Sequence, residues 1–155
     1  MTNERSQAAT ADTSRLCGLL ERKITVFKDF ISATISLKDM IREHNVEAVE
    51  MMIARRHDHL VFINKIDDEI RMIRETNPSY EAILNPEMRK RIQSRLKTVE
   101  NCINKTMRLN ADCEAAAEDE LHKLRNGLSR LGQHDQSFKG YRGKSWEPRF
   151  LDVTT

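Results

Sequence analysis

The composition and charge of the chain exclude several broad classes of protein. It has 155 residues, of which 39% are hydrophobic, 32% charged and 5% aromatic. Lys and Arg number 26 against 24 Asp and Glu, and the resulting net charge of +2 is too small to draw the whole chain to nucleic acid or to an anionic membrane. No apolar run approaches membrane-spanning length, and Met1 to Ser14 lack the apolar core of a signal peptide. We therefore expect a cytoplasmic, one-domain protein without membrane insertion.

The cysteines fit the same compartment. Cys17, Cys102 and Cys113 are an odd number, scattered within helical patterns, which is typical of reduced thiols. Cys102 and Cys113 lie about three turns apart on one predicted helix, so they cannot form a metal pair or a crosslink within one molecule. We expect all three to be small, buried or half-buried apolar side chains.

The first predicted element is a helix over residues 13–44, after a disordered leader at residues 1–12. Asp12, Thr13 and Ser14 can accept hydrogen bonds from the free amides of a first helical turn. One face of this helix is apolar at helical spacing. It carries Leu16, Leu20, Ile24, Phe27, Phe30, Ile31, Thr34, Leu37 and Ile41.

A second helix is predicted over residues 45–75, with Asn45 as its N-cap. Its stripe consists of Val46, Val49, Ile53, Arg56, Leu60, Ile63, Ile66, Ile70 and Ile73. The step at His44-Asn45 is either a tight reversal, which gives an antiparallel hairpin, or a kink, which gives one long rod. Periodicity does not decide between them, and we favour the hairpin.

The third helix is predicted over residues 86–131. Asn77-Pro78 and Asn85-Pro86 mark a connector before it, Asn85 caps it, and Gly132 is expected to end it. At 1.5 Å per residue its stripe spans roughly 60 Å, which predicts an elongated molecule. The stripe consists of Ile92, Leu96, Val99, Ile103, Thr106, Asn110, Cys113, Ala117, Leu121, Leu124, Leu128 and Leu131.

These elements predict an all-α fold: an elongated antiparallel three-helix coiled-coil bundle over residues 13–132, with a long third helix and a flexible, aromatic-containing tail at residues 133–155. Asn110 on the third stripe is interpreted as a polar residue that sets the register of the bundle core. Arg56 and Asp67 are expected to pair across helices. The third helix is longer than its two partners can cover. The leucines at its far end therefore form a candidate binding surface, which consists of Leu121, Leu124, Leu128 and Leu131.

Signals for catalysis or metal binding are weak. His57 and His59 lie on different sides of a helix, and the carboxylates near His122, at Glu118 and Asp119, have no second matching set. The sequence has no phosphate-binding glycine loop and no nucleophile elbow. We predict no enzyme activity, no cofactor and no metal. A basic run is interpreted as a solvated helix face and not as a nucleic-acid site; it consists of Arg89, Lys90, Arg91, Arg95 and Lys97.

Two stretches resemble a known family. Residues 45–53, Asn-Val-Glu-Ala-Val-Glu-Met-Met-Ile, are followed by Arg55-Arg56 and an Ile-rich helix, and they look like the second helix of FlgN-like flagellar export chaperones. Leu109-Asn110-Ala111-Asp112 in a long third helix, followed by a tail that contains Gly and Tyr, is similar as well. That family comprises small cytoplasmic helical proteins of type III secretion.

The resemblance implies a function. In the family, the long C-terminal helix region binds the C-terminal amphipathic helix of hook-filament junction proteins before their export, and a tail tyrosine, which corresponds to Tyr141, docks to the export gate. The client-binding residues would be Cys113, Ala117, Leu121, Leu124, Leu128 and Leu131. The alternative function is a structural coiled-coil adaptor or homo-oligomerisation module, in which the same leucines bury against an identical chain.

Overall fold

The described part of the chain consists of three α-helices, joined by short connections. The computed structural model describes the backbone of residues 2–78, 82 and 84–141, and the side chains of residues 7, 8, 10–78, 82 and 84–136. The helices are α1 (Thr2–Arg42), α2 (Val46–Thr76) and α3 (Pro86–Tyr141). The prediction of an all-α fold is confirmed. None of the described helices has a stretch that is long and apolar enough to cross a membrane.

Helix α1 begins earlier than the sequence predicted. It starts at Thr2, so residues 2–12 are helical and are not the disordered leader that we expected. Thr13 is buried, and Asp12 accepts a hydrogen bond from the Asn77 side chain across a distance of 3.5 Å. These side chains face a neighbouring helix instead of capping the start of their own, which is why the capping interpretation failed.

A tight turn at His44 separates α1 from α2. The N–H of His44 donates to the Ile41 carbonyl at 3.2 Å and the N–H of Asn45 to the Met40 carbonyl at 3.1 Å, the bonding pattern of a Schellman helix end. His44 takes the left-handed conformation that this pattern requires, with φ of 57°. The Asn45 side chain accepts from the Ala48 amide at 3.1 Å, so the predicted N-cap is confirmed. Helices α1 and α2 pack against each other, which one extended rod would not allow.

Ion pairs and hydrogen bonds connect the helices within residues 2–117. Between α1 and α2, Arg15 pairs with Glu69 at 3.4 Å and Lys23 with Asp67 at 2.5 Å. Helix α1 also contacts α3, where Lys38 pairs with Asp112 at 3.6 Å. Arg95 of α3 donates from two guanidinium nitrogens to one carboxylate oxygen of Glu21 in α1, and this hydrogen bonding is the main cause of the lowered pKa of Glu21. The early part of α1 thus faces the late part of α2 and the early part of α3.

The core lies around α1, because this helix contacts both of the others. Its buried residues are Leu16, Cys17, Leu19, Leu20, Phe27, Ile31, Ile63, Ile66, Ile70, Ile73, Ile92, Val99 and Cys102. Burial on two sides explains why Cys17 and Leu19, which lie beside the predicted stripe, are also covered. Helix α2 buries only the second half of its predicted stripe. Val46, Ile53 and Leu60 in its first half are exposed, which contradicts a uniformly buried face.

Helix α3 continues past the predicted stop. It passes through Gly127 and Gly132 and ends at Tyr141. A glycine lowers helix propensity by about 1 kcal/mol but ends a helix only where the backbone turns left-handed, so Gly132 remains helical. Residues 133–141, which were predicted to belong to the tail, are therefore part of the helix. The rest of the predicted tail, residues 142–155, lies outside the described residues. By internal packing the chain divides into two units, Met1–Ala117 and Glu118–Thr155.

Candidate functional site: an exposed leucine face on the third helix

Four leucines in the second unit form one exposed stripe, which we call the leucine face: Leu121, Leu124, Leu128 and Leu131. Their steps of three, four and three residues place them on one side of α3. The exposed fraction of each side chain lies between 47% and 69%. An exposed stripe of large apolar side chains is a candidate site of interaction.

The leucine face does not continue the register of the earlier stripe. Up to Ala117 the predicted stripe of α3, which includes the polar Thr106 and Asn110, alternates between steps of four and three residues, as in a heptad repeat. From Cys113 to Ala117 and from Ala117 to Leu121 two steps of four follow each other, which shifts the repeat by one residue. The boundary between the two units falls at the same place, after Ala117. The leucines therefore form a separate seam with its own register.

Local charge pairs support the helix beneath the leucine face. Lys123 contacts Glu120 at 2.9 Å and Asp119 at 3.0 Å, one turn earlier along the helix. The hydrogen bonds that Lys123 donates to Glu120 and then to Asp119 raise the pKa of Lys123. Asn126 and His122 lie 3.1 Å apart, also one turn apart. Pairs at these spacings favour the helical conformation, so the segment stays helical while its apolar side remains exposed.

The structure separates Cys113 from the other predicted client-binding residues. Cys113 is buried in the first unit, with its Sγ 3.4 Å from the Thr34 carbonyl oxygen, and burial raises the pKa of its thiol. Ala117 is exposed but is the last residue of that unit. The surface thus holds the four leucines and does not include Cys113. Tyr141 is the last residue of α3, and its side chain lies outside the described residues.

A polar layer crosses the first unit near the middle of its core. The Arg56 guanidinium donates to the Asn110 side-chain oxygen and lies 4.8 Å from the centre of the Phe30 ring. Asn110 is thus partly buried and hydrogen-bonded between two helices, as predicted. Asp67 also pairs across helices, with Lys23. The prediction that Arg56 and Asp67 bridge helices is confirmed, each with its own partner.

The weaker candidates from the sequence do not assemble into a chemical site. No group of His, Cys, Asp and Glu that could hold a metal ion occurs among the residues that the structure describes. Two members of the basic run are neutralised, since Arg95 pairs with Glu21 and Lys97 lies 3.3 Å from Glu100. All three cysteines are buried and free, as expected.

The leucine face remains the strongest candidate for function in the described part of the chain. It offers apolar area and a defined helical spacing, which are the properties that bind another amphipathic helix. No family model matches this chain, and the comparisons with curated proteins and with solved structures found no match either.

Proposed function

We propose that the protein is an export chaperone of the FlgN-like kind. In this proposal it binds the C-terminal amphipathic helix of a hook-filament junction protein in the cytoplasm and escorts that client to the type III export gate. The observation that carries the proposal is the leucine face, with four leucines between 47% and 69% exposed at helical spacing. A client helix would lay its own apolar side against them, the usual mode of helix recognition. The proposal needs no nucleotide, metal or catalytic residue.

In the same proposal, residues 2–117 are a rigid platform built as an antiparallel three-helix coiled coil. The pairing of Arg15 with Glu69 and of Lys23 with Asp67 supports opposite directions for α1 and α2. The pairing of Glu21 with Arg95 and of Lys38 with Asp112 supports a parallel course for α1 and α3. In the sequence, this platform is followed directly by the proposed client-binding segment.

The size of the leucine face sets the strength of binding. Complete burial of a leucine contributes about 1.5–3 kcal/mol, and these four are roughly half to two-thirds exposed. Covering all four therefore gives a gross gain of about 3.5–7 kcal/mol, from which the loss of freedom on association must be subtracted. Since a micromolar complex requires about 8 kcal/mol, the leucine face alone supports binding that is weaker than micromolar. Weak binding suits a chaperone that must release its client at the membrane.

The test is a titration of a fluorescent peptide with the sequence of a client's C-terminal amphipathic helix, followed by anisotropy. Leu124→Asp with Leu128→Asp should abolish binding, because two charges would be buried under the client helix. A matched control places the same two charges, at the same spacing, on another side of the helix: Ser129→Asp with Gln133→Asp. Equal affinity of the two double variants would contradict the proposed client site.

We further propose that Tyr141 docks to the export gate. The residue ends α3, so its distance along the helix from Leu131 is fixed at ten residues, or about 15 Å. Tyr141→Ala should leave client affinity unchanged and weaken co-purification with the gate component. Loss of client binding in this variant would show that Tyr141 belongs to the client site instead.

One observation favours a second candidate function. The leucines follow the steps of three and four that also define a coiled-coil seam, so the surface could join two copies of this chain as an adaptor or oligomerisation module. Sedimentation equilibrium separates the two cases. A monomer that binds the client peptide supports the chaperone, whereas a stable dimer that ignores the peptide supports the adaptor.

A further inference from the structure

The first unit contains a groove whose lining includes no residue of the leucine face. It has a volume of about 550 Å³ and is formed where the end of α2 and the connector meet the start of α3. Its lining includes Arg74, Ala82, Leu84, Arg89, Ile92 and Leu96. A smaller cavity of about 200 Å³ adjoins it, and Arg74, Ile92 and Leu96 line both. The two spaces therefore form one recess between α2 and α3.

The floor of this recess is apolar. Ile92 is buried, and the adjoining cavity reaches Leu16, Leu20 and Val99 of the core. Leu96 lies on the predicted core stripe and yet remains 40% exposed, because the recess leaves part of its side chain uncovered. An apolar side chain from outside could therefore extend the core of the bundle at this point.

The charges that line the recess are positive. Arg74 comes from the last turn of α2 and Arg89 from the first turns of α3. Neighbouring cations are already occupied: Arg71 pairs with Asp68 at 2.7 Å, and Arg95 pairs with Glu21. Among the described residues Arg74 makes no ion pair. Among the described residues of the lining, the one that is acidic is Asp67, and it is paired with Lys23 at 2.5 Å. An occupant of the recess would thus meet uncompensated positive charge at Arg74.

We propose that this recess is a second docking site, for an acidic peptide segment that inserts an apolar side chain beside Ile92 and Leu96 and places a carboxylate on Arg74. Charge complementarity selects the occupant, since the Arg74 guanidinium beside an apolar floor matches an amphipathic segment that carries Leu or Phe on one side and Glu or Asp on the other. The floor argues against nucleic acid, whose recognition needs a continuous basic track rather than an apolar slot. The site goes beyond the proposed client surface and uses none of its residues.

The length of the recess fixes the length of the peptide. Along α3 its lining runs from Arg89 to Val99, ten residues or about 15 Å. A helical peptide of about three turns would span it. A probe of about 12 residues, with leucines at helical spacing and glutamates elsewhere, contains the required chemistry.

The experiment uses the full chain with Leu124→Asp and Leu128→Asp, so that the leucine face no longer binds an acidic amphipathic peptide. Fluorescence anisotropy of the labelled Leu/Glu probe should show saturable binding that weakens as salt is added. In this background Arg74→Glu should weaken binding about tenfold or more. The control is Arg71→Glu, one turn away on the same helix and also exposed to solvent, which should leave binding within about twofold.

A second pair of variants tests the apolar floor. Leu96→Ser should weaken binding, whereas Ile103→Ser should not, although both residues are 40% exposed on the same helix. A probe with Lys in place of Glu should bind poorly to the parent chain and better to Arg74→Glu. Circular dichroism confirms that each variant is helical.

Three results would overturn the proposal. The first is an equal effect of Arg74→Glu and Arg71→Glu, which would show that the peptide binds only by nonspecific attraction between charges. The second is equal binding of the Glu and Lys probes. The third is saturable binding of dodecanoate, lost in Arg74→Glu, without any binding of the peptide, which would assign the recess to a fatty acid. None of these results bears on the leucine face, which is already disabled in the parent variant.

Discussion

Truncation of two aliphatic side chains, one in the core and one on the leucine face, should give very different losses of stability. Ile66 is 1% exposed and lies among the buried isoleucines of α2, so Ile66→Ala removes packed atoms and leaves a cavity. The expected loss is roughly 2–5 kcal/mol. Leu124 is 52% exposed, and Leu124→Ala at a surface helical position should change stability by no more than about 0.5 kcal/mol. Alanine is also the better helix former, which works against any loss.

The assay is urea denaturation followed by circular dichroism at two protein concentrations. Ile66→Ala should lower the midpoint at both concentrations, by an amount equivalent to about 10 °C in thermal melting. Leu124→Ala should superimpose on the parent curve. A loss above about 1.5 kcal/mol for Leu124→Ala would mean that the leucine face is covered in the free protein. If that loss grows with protein concentration, a second copy is what covers it.

Three further predictions concern single positions. Because Arg95 lowers the pKa of Glu21 in the folded state, the pair stabilises the fold above the ordinary pKa of a glutamate, and this contribution is lost as the pH falls through the lowered value. Glu21→Gln should therefore lose less stability than the parent between about pH 7 and about pH 3, measured by urea midpoints, and equal losses would refute the pair's role. Gly132→Ala should increase helicity and stability by roughly 0.5–1 kcal/mol, since a Cβ there meets open space; a decrease in the dichroism signal would show that the position needs glycine. Asn110→Ala should cost about 1–3 kcal/mol in denaturant, because it leaves the partly buried Arg56 without its acceptor, and an unchanged midpoint would exclude a structural role for that bond.

The helical periodicity predicted much of the fold, because long amphipathic stripes have few alternative structures. Asn45 as N-cap and the start of α3 at Pro86 followed from local chemistry that needs no knowledge of neighbours. The start of α1 did not, since Asp12 and Thr13 could either cap a helix or lie inside one. Their contacts with α2 decided the matter, and such contacts cannot be read from one helix.

Burial was predicted less well than secondary structure. Val46, Ile53 and Leu60 belong to the same predicted stripe as Ile63, Ile66 and Ile70, yet only the second set is buried. A stripe shows which side of a helix is apolar but not whether a neighbour is close enough to cover it. The same limit explains why Leu96 and Ile103 were expected in the core.

The leucine face could be proposed from sequence because the third helix is predicted to be longer than the two helices that pack against it. That Cys113 does not belong to this face could not be predicted. The shift in repeat between Cys113 and Leu121 was the available signal. The recess beside Arg74 could not be predicted, because its lining comes from both ends of a connector and from α1. Only packing brings Arg74, Leu84 and Leu96 together.

The most direct test of the proposed chaperone is methyl NMR of the protein labelled at its leucine methyl groups, with and without a peptide that contains a client's C-terminal amphipathic helix. We predict that the methyl signals of Leu121, Leu124, Leu128 and Leu131 shift together on titration. The buried Leu16, Leu19 and Leu20 should keep their positions. Shifts confined to the recess at Leu96, or no shifts at all with a folded protein, would contradict the account.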